Sequence, residues 1–342
     1  MRHTMKPAAD DVIANKVRMA RAARPAQRTE RGDGTVRPVV AGVGLPHADP
    51  LIYPELRISK CDLATYYESI AQWILPHVRG RPFTLVHCPE GVAGACRYLR
   101  PAKAWGPMPL RRVKIQEKTK VGEYLVAESI SAVVALAQMG IVEIHTWNST
   151  IDDLERPNRI VWDLDPGPQV SWESVVVAAR LLRDVLGTLR LRAWVKTTGG
   201  HGLHVVVPLR PSLAWTDCLA FSRAVAEALE RADPGRYTTT FRKVGRERKI
   251  LIDYLRNNRT NTSICAYSPR ARPGAVVFMP IAWEGSRHEA GRWTLPTVKR
   301  RLHRASLDPW ADYWDRLQQI SRRSIEALQG LSSSPLLASN RA

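Results

Sequence analysis

The sequence predicts an α+β fold in which mixed or antiparallel sheets are packed by helices. The first observation is that strand-like and helix-like segments interleave without the regular rhythm of a β-α-β protein. The second is length, since 342 residues suffice for one large domain or two modest ones. The third is composition, because 44% hydrophobic and 24% charged residues are typical of a soluble globular protein.

The individual elements follow from apolar periodicity and from capping residues. Ser59 and Asp62 resemble a capping box at the start of a helix whose pattern ends at Pro76. Ser171 can cap a later helix that Gly187 closes. Further helices are predicted over residues 129–139, 216–231, 296–304 and about 311–329, and strands over residues 83–87, 141–147, 193–196, 203–207 and 249–255.

Three regions of the chain differ in composition. Residues 1–45 are rich in Arg, Ala, Pro and Gly and predict a basic, disordered tail. That tail suits either a loose contact with nucleic acid or a solvated leader. Residues 46–330 hold the periodic segments and form the predicted domain, and residues 331–342 predict a flexible, Ser-rich C-terminal tail.

The charge balance indicates a polyanionic partner. Lys and Arg number 51 against 32 Asp and Glu, a formal net charge of +19. Nucleic acid is the favoured partner because neutralised phosphates release counterions. Solubility and an acidic membrane surface are the alternatives.

Apolar segments and cysteines indicate the compartment. No apolar run approaches the about 20 residues that a membrane helix needs, and the N-terminus lacks the apolar segment of a secretory signal. Five cysteines without a CxxC pair argue against a zinc site and suit a reducing environment. We therefore expect a cytoplasmic protein, associated with the nucleoid and not with a membrane.

Two aspartates at the end of a predicted strand are the strongest chemical signal. In Ile160-Val161-Trp162-Asp163-Leu164-Asp165-Pro166-Gly167, Asp163 and Asp165 point to the same face, about 7 Å apart along the backbone. Both carboxylates can contact one pair of divalent cations, which together promote an in-line phosphoryl displacement. An ordinary core has no need of two like charges at this position.

Asp253 is the predicted third carboxylate. It lies mid-strand among apolar neighbours, where a lone charge is costly unless it is paired or metal-bound. A salt bridge to Arg246, Arg248 or Lys249 is the alternative. Beside a second strand that carries two aspartates, a metal site is favoured.

A glycine-rich turn, Thr197-Thr198-Gly199-Gly200-His201-Gly202, joins two predicted strands. Its backbone N–H groups could bind phosphate oxygens, although most such loops are simple hairpin turns and no P-loop or Rossmann pattern is present. His204, just inside the second strand, could donate a hydrogen bond to a triphosphate. His201, at the tip of the turn, is expected to face solvent.

Two further segments admit both a structural and a functional interpretation. Glu143 and His145 share one face of a strand, so His145 is either a buried, hydrogen-bonded histidine or a neighbour of a metal centre. Residues 256–263 are dense in hydrogen-bond donors and are followed by Arg270 and Arg272. This run is either a solvated loop or, as we favour, a grip on phosphate or on a template strand.

Together these segments resemble the polymerase domain of bacterial ligase D, in the archaeo-eukaryotic primase superfamily. The resemblance runs from about Leu51 to Trp310, and the joint occurrence of its motifs in this order is specific. The motifs are Ser59-Lys60-Cys61-Asp62-Leu63 with Tyr66-Tyr67, Glu143-Ile144-His145-Thr146-Trp147, Trp162-Asp163-Leu164-Asp165-Pro166-Gly167, Thr198-Gly199-Gly200-His201-Gly202-Leu203-His204, Ile252-Asp253-Tyr254 and Tyr267-Ser268-Pro269-Arg270-Ala271-Arg272.

The resemblance implies a primase-polymerase fold, with two mixed or antiparallel sheets on either side of a central active-site cleft. A divalent metal, often manganese, serves nucleotidyl transfer in that family. The matching positions make Asp163, Asp165 and Asp253 the metal ligands and place His145 beside the metals as a further catalytic residue. The implied nucleotide-binding residues are Thr198, Gly199, Gly200, His204 and Arg270, and the implied DNA-binding residues are Lys60, Arg57 and Tyr98.

Three positions depart from the family pattern. Lys60 matches a lysine that recognises a 5′-phosphate, but Pro50 stands near the family's second phosphate-contacting lysine, and Arg57 is the candidate replacement. Tyr98 stands near the phenylalanine that stacks on the template, and its ring keeps a π face. Thr198 replaces the commoner serine and keeps the hydroxyl.

The resemblance implies a template-directed polymerase that adds nucleotides, preferentially ribonucleotides, to a primer 3′-hydroxyl at gaps or broken ends during non-homologous end joining. Its partners would be DNA with a 5′-phosphorylated end, a Ku protein and a separately encoded DNA ligase. In the predicted mechanism Asp163 and Asp165 would bind two divalent cations, Mn²⁺ or Mg²⁺, and Asp253 would hold the one that helps to activate the 3′-hydroxyl. The alternatives are a primer-independent primase, a catalytically idle DNA-end-binding partner of a ligase, and a two-metal nuclease or phosphatase.

Overall fold

The structure, a computed structural model, describes residues 27–30, 36–99, 109–284, 286, 291–304 and 308–330. Within those residues it confirms the predicted mixture of helices and sheets. The α-helices there are α1 (Lys60–Ser69), α2 (Ala71–Val78), α3 (Ile130–Gln138), α4 (Trp172–Thr188), α5 (Trp215–Ala232), α6 (Leu295–Arg304) and α7 (Arg322–Gly330). The strands there are β1 (Gln27–Glu30), β2 (Val36–Val40), β3 (Val43–Gly44), β4 (Leu51–Tyr53), β5 (Ile58–Ser59), β6 (Phe83–His87), β7 (Arg97–Leu99), β8 (Arg111–Gln116), β9 (Val121–Val126), β10 (Ile141–Thr146), β11 (Arg159–Pro166), β12 (Trp194–Thr197), β13 (Leu203–Pro208), β14 (Tyr237–Thr238), β15 (Ile250–Asp253), β16 (Ser263–Ile264) and β17 (Pro280–Ile281).

Two sheets carry most of the domain, as predicted. The larger sheet has the strand order β14-β15-β11-β13-β12-β17 and is antiparallel except for the parallel pair β14 and β15. The smaller sheet is antiparallel, with the order β16-β10-β6-β7. Helices α4 and α5 pack on the larger sheet and α3 packs on the smaller one. Their apolar faces join the two sheets in one hydrophobic core.

The predicted capping box at the start of α1 is confirmed. Ser59 Oγ accepts a hydrogen bond from Asp62 N, and Asp62 Oδ2 accepts one from Ser59 N at 2.8 Å. The predicted end of this helix at Pro76 is wrong. The helix stops at Ser69, and Pro76 lies inside α2, which continues because proline removes only one donor and Arg79 N still bonds Leu75 O at 2.9 Å.

The ends of two later helices also differ from the prediction. Ser171 caps α4 as expected, but Gly187 lies inside its last turn. The left-handed residue after the helix is Arg190 (φ 59°), because Leu191 N bonds back to Leu186 O at 2.8 Å. The helix predicted over residues 311–329 is limited to α7, because Trp310 and Tyr313 stack on each other at 4.8 Å in an aromatic turn instead.

The folded domain begins earlier than predicted, before the expected end of the N-terminal tail at residue 45. Strands β2 and β3 pair with each other, and Val40 and Leu45 are buried in the main core. Ala41 N donates to the Glu68 carboxylate at 2.9 Å, which ties this segment to α1. Residues 36–45 are therefore part of the folded domain. Residues 1–26 and 331–342 lie outside the described residues, so the two tails remain predictions.

None of the helices in the described part of the chain is both long enough and apolar enough to cross a membrane.

Candidate active site in the cleft between the two sheets

A cleft of about 730 Å³ opens between the larger and the smaller sheet. Asp163, Asp165 and Asp253 reach it from the larger sheet, and Glu143 and His145 reach it from the smaller one. Side chains from distant parts of the chain thus face each other across one cavity. Its lining also includes Tyr98, Thr198, Gly200, His201, His204, Phe241, Lys243, Arg246, Arg256, Arg270 and Arg272.

Four ionisable residues form a row across the larger sheet. Lys196 on β12 pairs with His204 on β13, His204 pairs with Asp163 on β11, and Asp163 pairs with Asp253 on β15. Directly paired residues in antiparallel strands share one face of the sheet, so these side chains are neighbours. Asp165 lies two residues after Asp163 and points to the same face. The structure therefore brings together the three carboxylates that the sequence selected.

Two arginines form ion pairs with the three carboxylates. Arg256 lies between two aspartates, with Nη2 3.1 Å from Asp163 Oδ2 and Nε 3.0 Å from Asp253 Oδ2. Arg246 Nη2 donates to Asp165 Oδ2 at 2.8 Å. Both arginines thus neutralise the negative charge gathered on one face of the larger sheet.

The backbone at Gly167 explains how Arg246 reaches the aspartates. A Cβ atom at Gly167 would overlap the carbonyl oxygen of Arg246, so only glycine lets the two backbones come this close. Gly167 N also bonds Lys249 O at 2.9 Å. The turn after the aspartate pair therefore positions the segment that carries Arg246.

The two paired aspartates differ in acidity. Burial raises the pKa of Asp253 to about 6; the charge of Arg256 acts against this increase, and the charges of Asp163 and Asp165 add to it. Burial also acts to raise the pKa of Asp163, but His204 and Arg256 outweigh it, so the pKa of Asp163 is below its usual range. The Asp253 carboxylate is thus the one in greatest need of a cation.

His204 is buried and neutral at neutral pH. Burial and the nearby charge of Lys196 lower the pKa of His204 to about 4. Its Nε2 lies 3.3 Å from Asp163 Oδ1, and its Nδ1 has no hydrogen-bond partner among the described residues. An unpartnered polar atom in the wall of a cleft is available to a ligand.

The donor set fits a divalent cation. No three His, Cys, Asp or Glu side chains in the described residues are arranged as a ready-made metal site. The carboxylates of Asp163, Asp165 and Asp253 nevertheless offer the oxygen ligands that Mg²⁺ and Mn²⁺ prefer, on one face of one sheet. A cation would take over the charge neutralisation that Arg246 and Arg256 now supply. The role of the aspartates as metal ligands remains a prediction.

The glycine-rich turn also lines the cleft, next to the strand that carries Asp163 and Asp165. The buried hydroxyl of Thr198 accepts a hydrogen bond from Gly202 N at 3.1 Å and closes the turn. Gly199 adopts a left-handed conformation (φ 66°), which glycine permits without strain. Arg270 Nη1 donates to Thr198 O at 2.6 Å. The structure therefore brings together the predicted nucleotide-binding residues Thr198, Gly199, Gly200, His204 and Arg270, while His201 is exposed as expected.

Tyr98 and His145 meet at the third wall of the cleft. Tyr98 on β7 is 64% exposed, and its ring contacts the His145 ring edge-on with centroids 5.7 Å apart. An exposed aromatic ring at the mouth of a cleft suits stacking on a nucleobase. The sequence left open whether His145 is structural or functional, and the structure places it in the cleft wall.

Lys60 and Arg57 lie outside the cleft lining. Lys60 is the first residue of α1, where its backbone N donates to Pro50 O at 3.0 Å, and burial lowers its pKa. Burial lowers the pKa of His87, and the charges of Arg97 and Lys60 lower it further. Lys60 is therefore close to the hairpin that carries Tyr98. Arg57 is exposed, in a left-handed conformation (φ 53°). Their contact with DNA remains a prediction.

A disulfide joins Cys88 and Cys96 and corrects the expectation of reduced cysteines. His87 on β6 pairs with Arg97 on β7, so the two cysteines stand at the next position of the same ladder. Among the strands that the structure describes, β7 is at the edge of its sheet and pairs with β6. The disulfide therefore holds the strand that presents Tyr98.

Reduction of this disulfide is expected to destabilise the protein. A bridge that closes a loop of this size contributes about 2–3 kcal/mol, which corresponds to a decrease of about 3–5 °C in unfolding temperature. Thermal unfolding with and without a dithiol reductant measures the effect. The Cys88→Ser/Cys96→Ser variant should match the reduced wild type and should not respond to the reductant. A wild type that does not respond either would contradict the presence of the bond.

Three residues of the site have roles that the sequence does not predict. The sequence indicates a phosphate grip for the segment that begins at Arg256 and a bridge to Asp253 for Arg246, whereas in the structure Arg256 contacts Asp163 and Asp253 and Arg246 contacts Asp165. Lys196 is buried on β12, where burial lowers its pKa to about 7. The sequence does contain a signal for Lys196, because a lysine among the apolar residues of a predicted strand is unusual and indicates a buried charge with a specific role.

An α+β domain whose two sheets enclose a cleft with converging aspartates and a glycine-rich turn has the architecture of a primase-polymerase domain. Comparison with known proteins gives the family. The chain belongs to the family of the LigD primase-polymerase domain, which matches residues 59–310.

Relatives and a solved structure agree with this assignment. The chain is 36% identical over 305 residues to the multifunctional non-homologous end joining protein LigD of Pseudomonas aeruginosa, covering 84% of this chain and 35% of that protein. It is 32% identical over 244 residues to the LigD protein of Mycolicibacterium smegmatis, covering 71% of this chain and 32% of that protein. The chain thus spans about a third of the length of these curated relatives. The polymerase domain of Mycobacterium tuberculosis ligase D in complex with DNA superimposes with a TM-score of 0.75 at 27% identity, covering 80% of this chain and 99% of that one.

Proposed function

We propose that this chain is a DNA-directed nucleotidyltransferase that extends a primer 3′-hydroxyl at gaps or broken ends during non-homologous end joining. The observation that carries the proposal is the cleft itself. Asp163 and Asp253 stand directly opposite each other, and a glycine-rich turn held by Arg270 lines the same cavity. In a member of the LigD primase-polymerase family, this arrangement supports a role in nucleotidyl transfer.

The aspartates would hold the metal ions. When bound to Asp163, Asp165 and Asp253, divalent cations, Mn²⁺ or Mg²⁺, would lower the pKa of the primer hydroxyl and neutralise charge on the triphosphate. Arg246 and Arg256 would first have to give up the carboxylate oxygens they now contact. Released into the cleft, both guanidinium groups could pair with phosphate oxygens.

The glycine-rich turn and its partners would bind the incoming nucleotide. Arg270, already directed toward the turn, would pair with the triphosphate, and the backbone of Gly199 and Gly200 leaves room for phosphate oxygens. His204 would contribute its unpartnered Nδ1 once that atom carries a proton. We infer that ribonucleotides are the preferred substrates, as the family resemblance implies.

DNA would enter along the wall that carries Tyr98. Its exposed ring is suited to stacking on a template base, and the formal net charge of +19 favours the phosphate backbone. Lys60, with Arg57 near it, would recognise the 5′-phosphate at the far side of a gap. A Ku protein and a separately encoded DNA ligase would complete the repair.

Extension of a gapped duplex tests the proposal. The substrates carry or lack a 5′-phosphate and are supplied with ribonucleotides or deoxyribonucleotides, and with Mn²⁺, Mg²⁺ or EDTA. We expect metal-dependent extension, stronger with ribonucleotides and with the 5′-phosphate, and loss of the phosphate effect in Lys60→Ala. An unprimed single strand separates a true primase from a polymerase. Tight binding of DNA without extension under every condition would favour an idle end-binding protein instead.

A further inference from the structure

Glu143 is a buried carboxylate in the cleft that none of the roles proposed above uses. It lies on β10 and is 8% exposed. Each of its oxygens makes one short contact, Oε2 with His145 Nε2 at 2.8 Å and Oε1 with the backbone N of Ala271 at 2.8 Å. One side chain therefore joins a residue of the smaller sheet to the loop that carries Arg270.

The contact with Ala271 fixes the peptide from which Arg270 extends. On the other side of that peptide, Arg270 O accepts a hydrogen bond from the Tyr53 hydroxyl at 2.7 Å. The Arg270 guanidinium then crosses to Thr198 O on the larger sheet at 2.6 Å. Glu143 thus begins a chain of hydrogen bonds that reaches across the cleft to the glycine-rich turn.

The contact with His145 determines which ring nitrogen carries hydrogen. An ionised carboxylate can only accept, so His145 Nε2 must be the donor. A neutral ring then keeps its lone pair on Nδ1. The same ring packs edge-on against Tyr98, so its orientation also bears on the wall that we assign to the template.

Glu143 stays ionised in spite of its burial. Burial acts to raise its pKa, but the hydrogen bonds from His145 and from Ala271 N lower it, and the pKa is below its ordinary value. Its acceptor role therefore holds at neutral pH. A buried charge with two directed partners in an active-site cleft is more than a packing residue.

We propose that Glu143 is a positioning residue that sets the tautomer of His145 and the placement of Arg270 together. It would thereby couple the template wall of the cleft to the nucleotide wall. The kinetic consequences rest on the proposed polymerase function, whereas the state of the His145 ring does not.

Glu143→Gln separates the two contacts. The amide oxygen can still accept from Ala271 N, which can only donate, but the amide NH₂ then faces His145 Nε2 and requires that nitrogen to accept. We expect the His145 hydrogen to move from Nε2 to Nδ1. The kcat for extension should fall about tenfold, the effect of roughly one lost hydrogen bond, with the nucleotide KM close to wild type.

The measurement is ¹⁵N NMR of histidine-labelled protein at a pH where the ring is neutral, with the His145 signals assigned by their loss in His145→Gln. Tyr53→Phe is the matched variant on the Arg270 side, expected to raise the nucleotide KM and to leave the tautomer of His145 unchanged. Glu230→Gln makes the same chemical change on α5, outside the cleft, and should alter neither the tautomer of His145 nor the kinetics of extension.

An unchanged Nε2–H tautomer in Glu143→Gln, with full kcat, would overturn the proposal. An unchanged tautomer with reduced kcat would also overturn it, since the loss would then not pass through His145. If the wild type itself does not extend a primer, the proposed function fails, and the NMR comparison still decides the role of Glu143.

Discussion

Replacing Asp163 by Asn is expected to reduce primer extension by about 10³-fold or more while DNA affinity stays near the wild-type value. Asp163 is the centre of the carboxylate group, with Asp253 opposite and His204 and Arg256 in contact. Asparagine has a similar shape, so packing is kept. It has no negative charge, however, and provides a poorer ligand for a divalent cation.

The experiment compares extension and DNA binding in the same preparations. A gapped duplex is used for both, with extension followed on gels and binding followed by fluorescence anisotropy. Asp217→Asn, on the exposed surface of α5, is the matched control and should behave as wild type in both assays. Extension at the wild-type rate by Asp163→Asn would remove the metal-centred mechanism.

The core of this site could be predicted from the sequence because it depends on local geometry. Strand alternation is enough to place Asp163 and Asp165 on one face, and an acidic residue in an apolar strand is enough to single out Asp253. The capping box of α1 is equally local, since Ser59 and Asp62 are three residues apart. Such features depend only on residues that are close in sequence and on the periodicity of the strand or helix that contains them.

The partners of these residues could not be predicted, because they depend on the register of distant strands. Arg256 reaches Asp163 over 93 positions only because β11 and β15 pair with Asp163 opposite Asp253. Cysteines eight residues apart form a disulfide only once β6 and β7 are aligned so that the ladder ends at His87. A one-residue shift in either pairing would direct these side chains elsewhere.

Irregular segments were misjudged for a different reason. Arg190 takes a left-handed conformation usually left to glycine, because the backbone bond from Leu191 N to Leu186 O determines the turn. Trp310 and Tyr313 stack and pack in the core, and this tertiary contact overrides the helical propensity of the segment. The pattern of apolar residues along the sequence does not predict these backbone and tertiary contacts.

Removing the guanidinium of Arg256 is expected to make the stability of the protein depend on metal ions. In Arg256→Gln the carboxylates of Asp163 and Asp253 would face each other without the cation that now lies within 3.1 Å and 3.0 Å of them. Losing one partner of a buried ion pair is costly, but the Arg256 side chain is 40% exposed, so we expect only about 1–3 kcal/mol. The metal-free variant should unfold about 2–5 °C below wild type.

The pH dependence of this loss has a definite sign. The pKa of Asp253 in the folded protein is about 6, above its value of 3.8 in a model compound, so its ionised form opposes folding. Asp253 does not reduce the free energy of unfolding at low pH, where it is protonated in both the folded and the unfolded protein. That free energy then declines as the pH rises through the pKa of Asp253 in the folded protein. Without the charge of Arg256, which lowers the pKa of Asp253, that pKa rises further, so the deficit of metal-free Arg256→Gln should grow as the pH rises above about 6 and shrink in more acidic buffer.

Added Mn²⁺ should reverse the deficit, since a ligand that binds only the folded state raises its stability. The unfolding temperature of Arg256→Gln should rise more with Mn²⁺ than that of wild type, because no guanidinium competes for the carboxylates. Arg246→Gln is the matched control, and its partner Asp165 is 54% exposed, so its metal-free deficit should be smaller. Equal responses of all three proteins to Mn²⁺ would mean that the aspartates are structural and that Arg256 is their permanent partner.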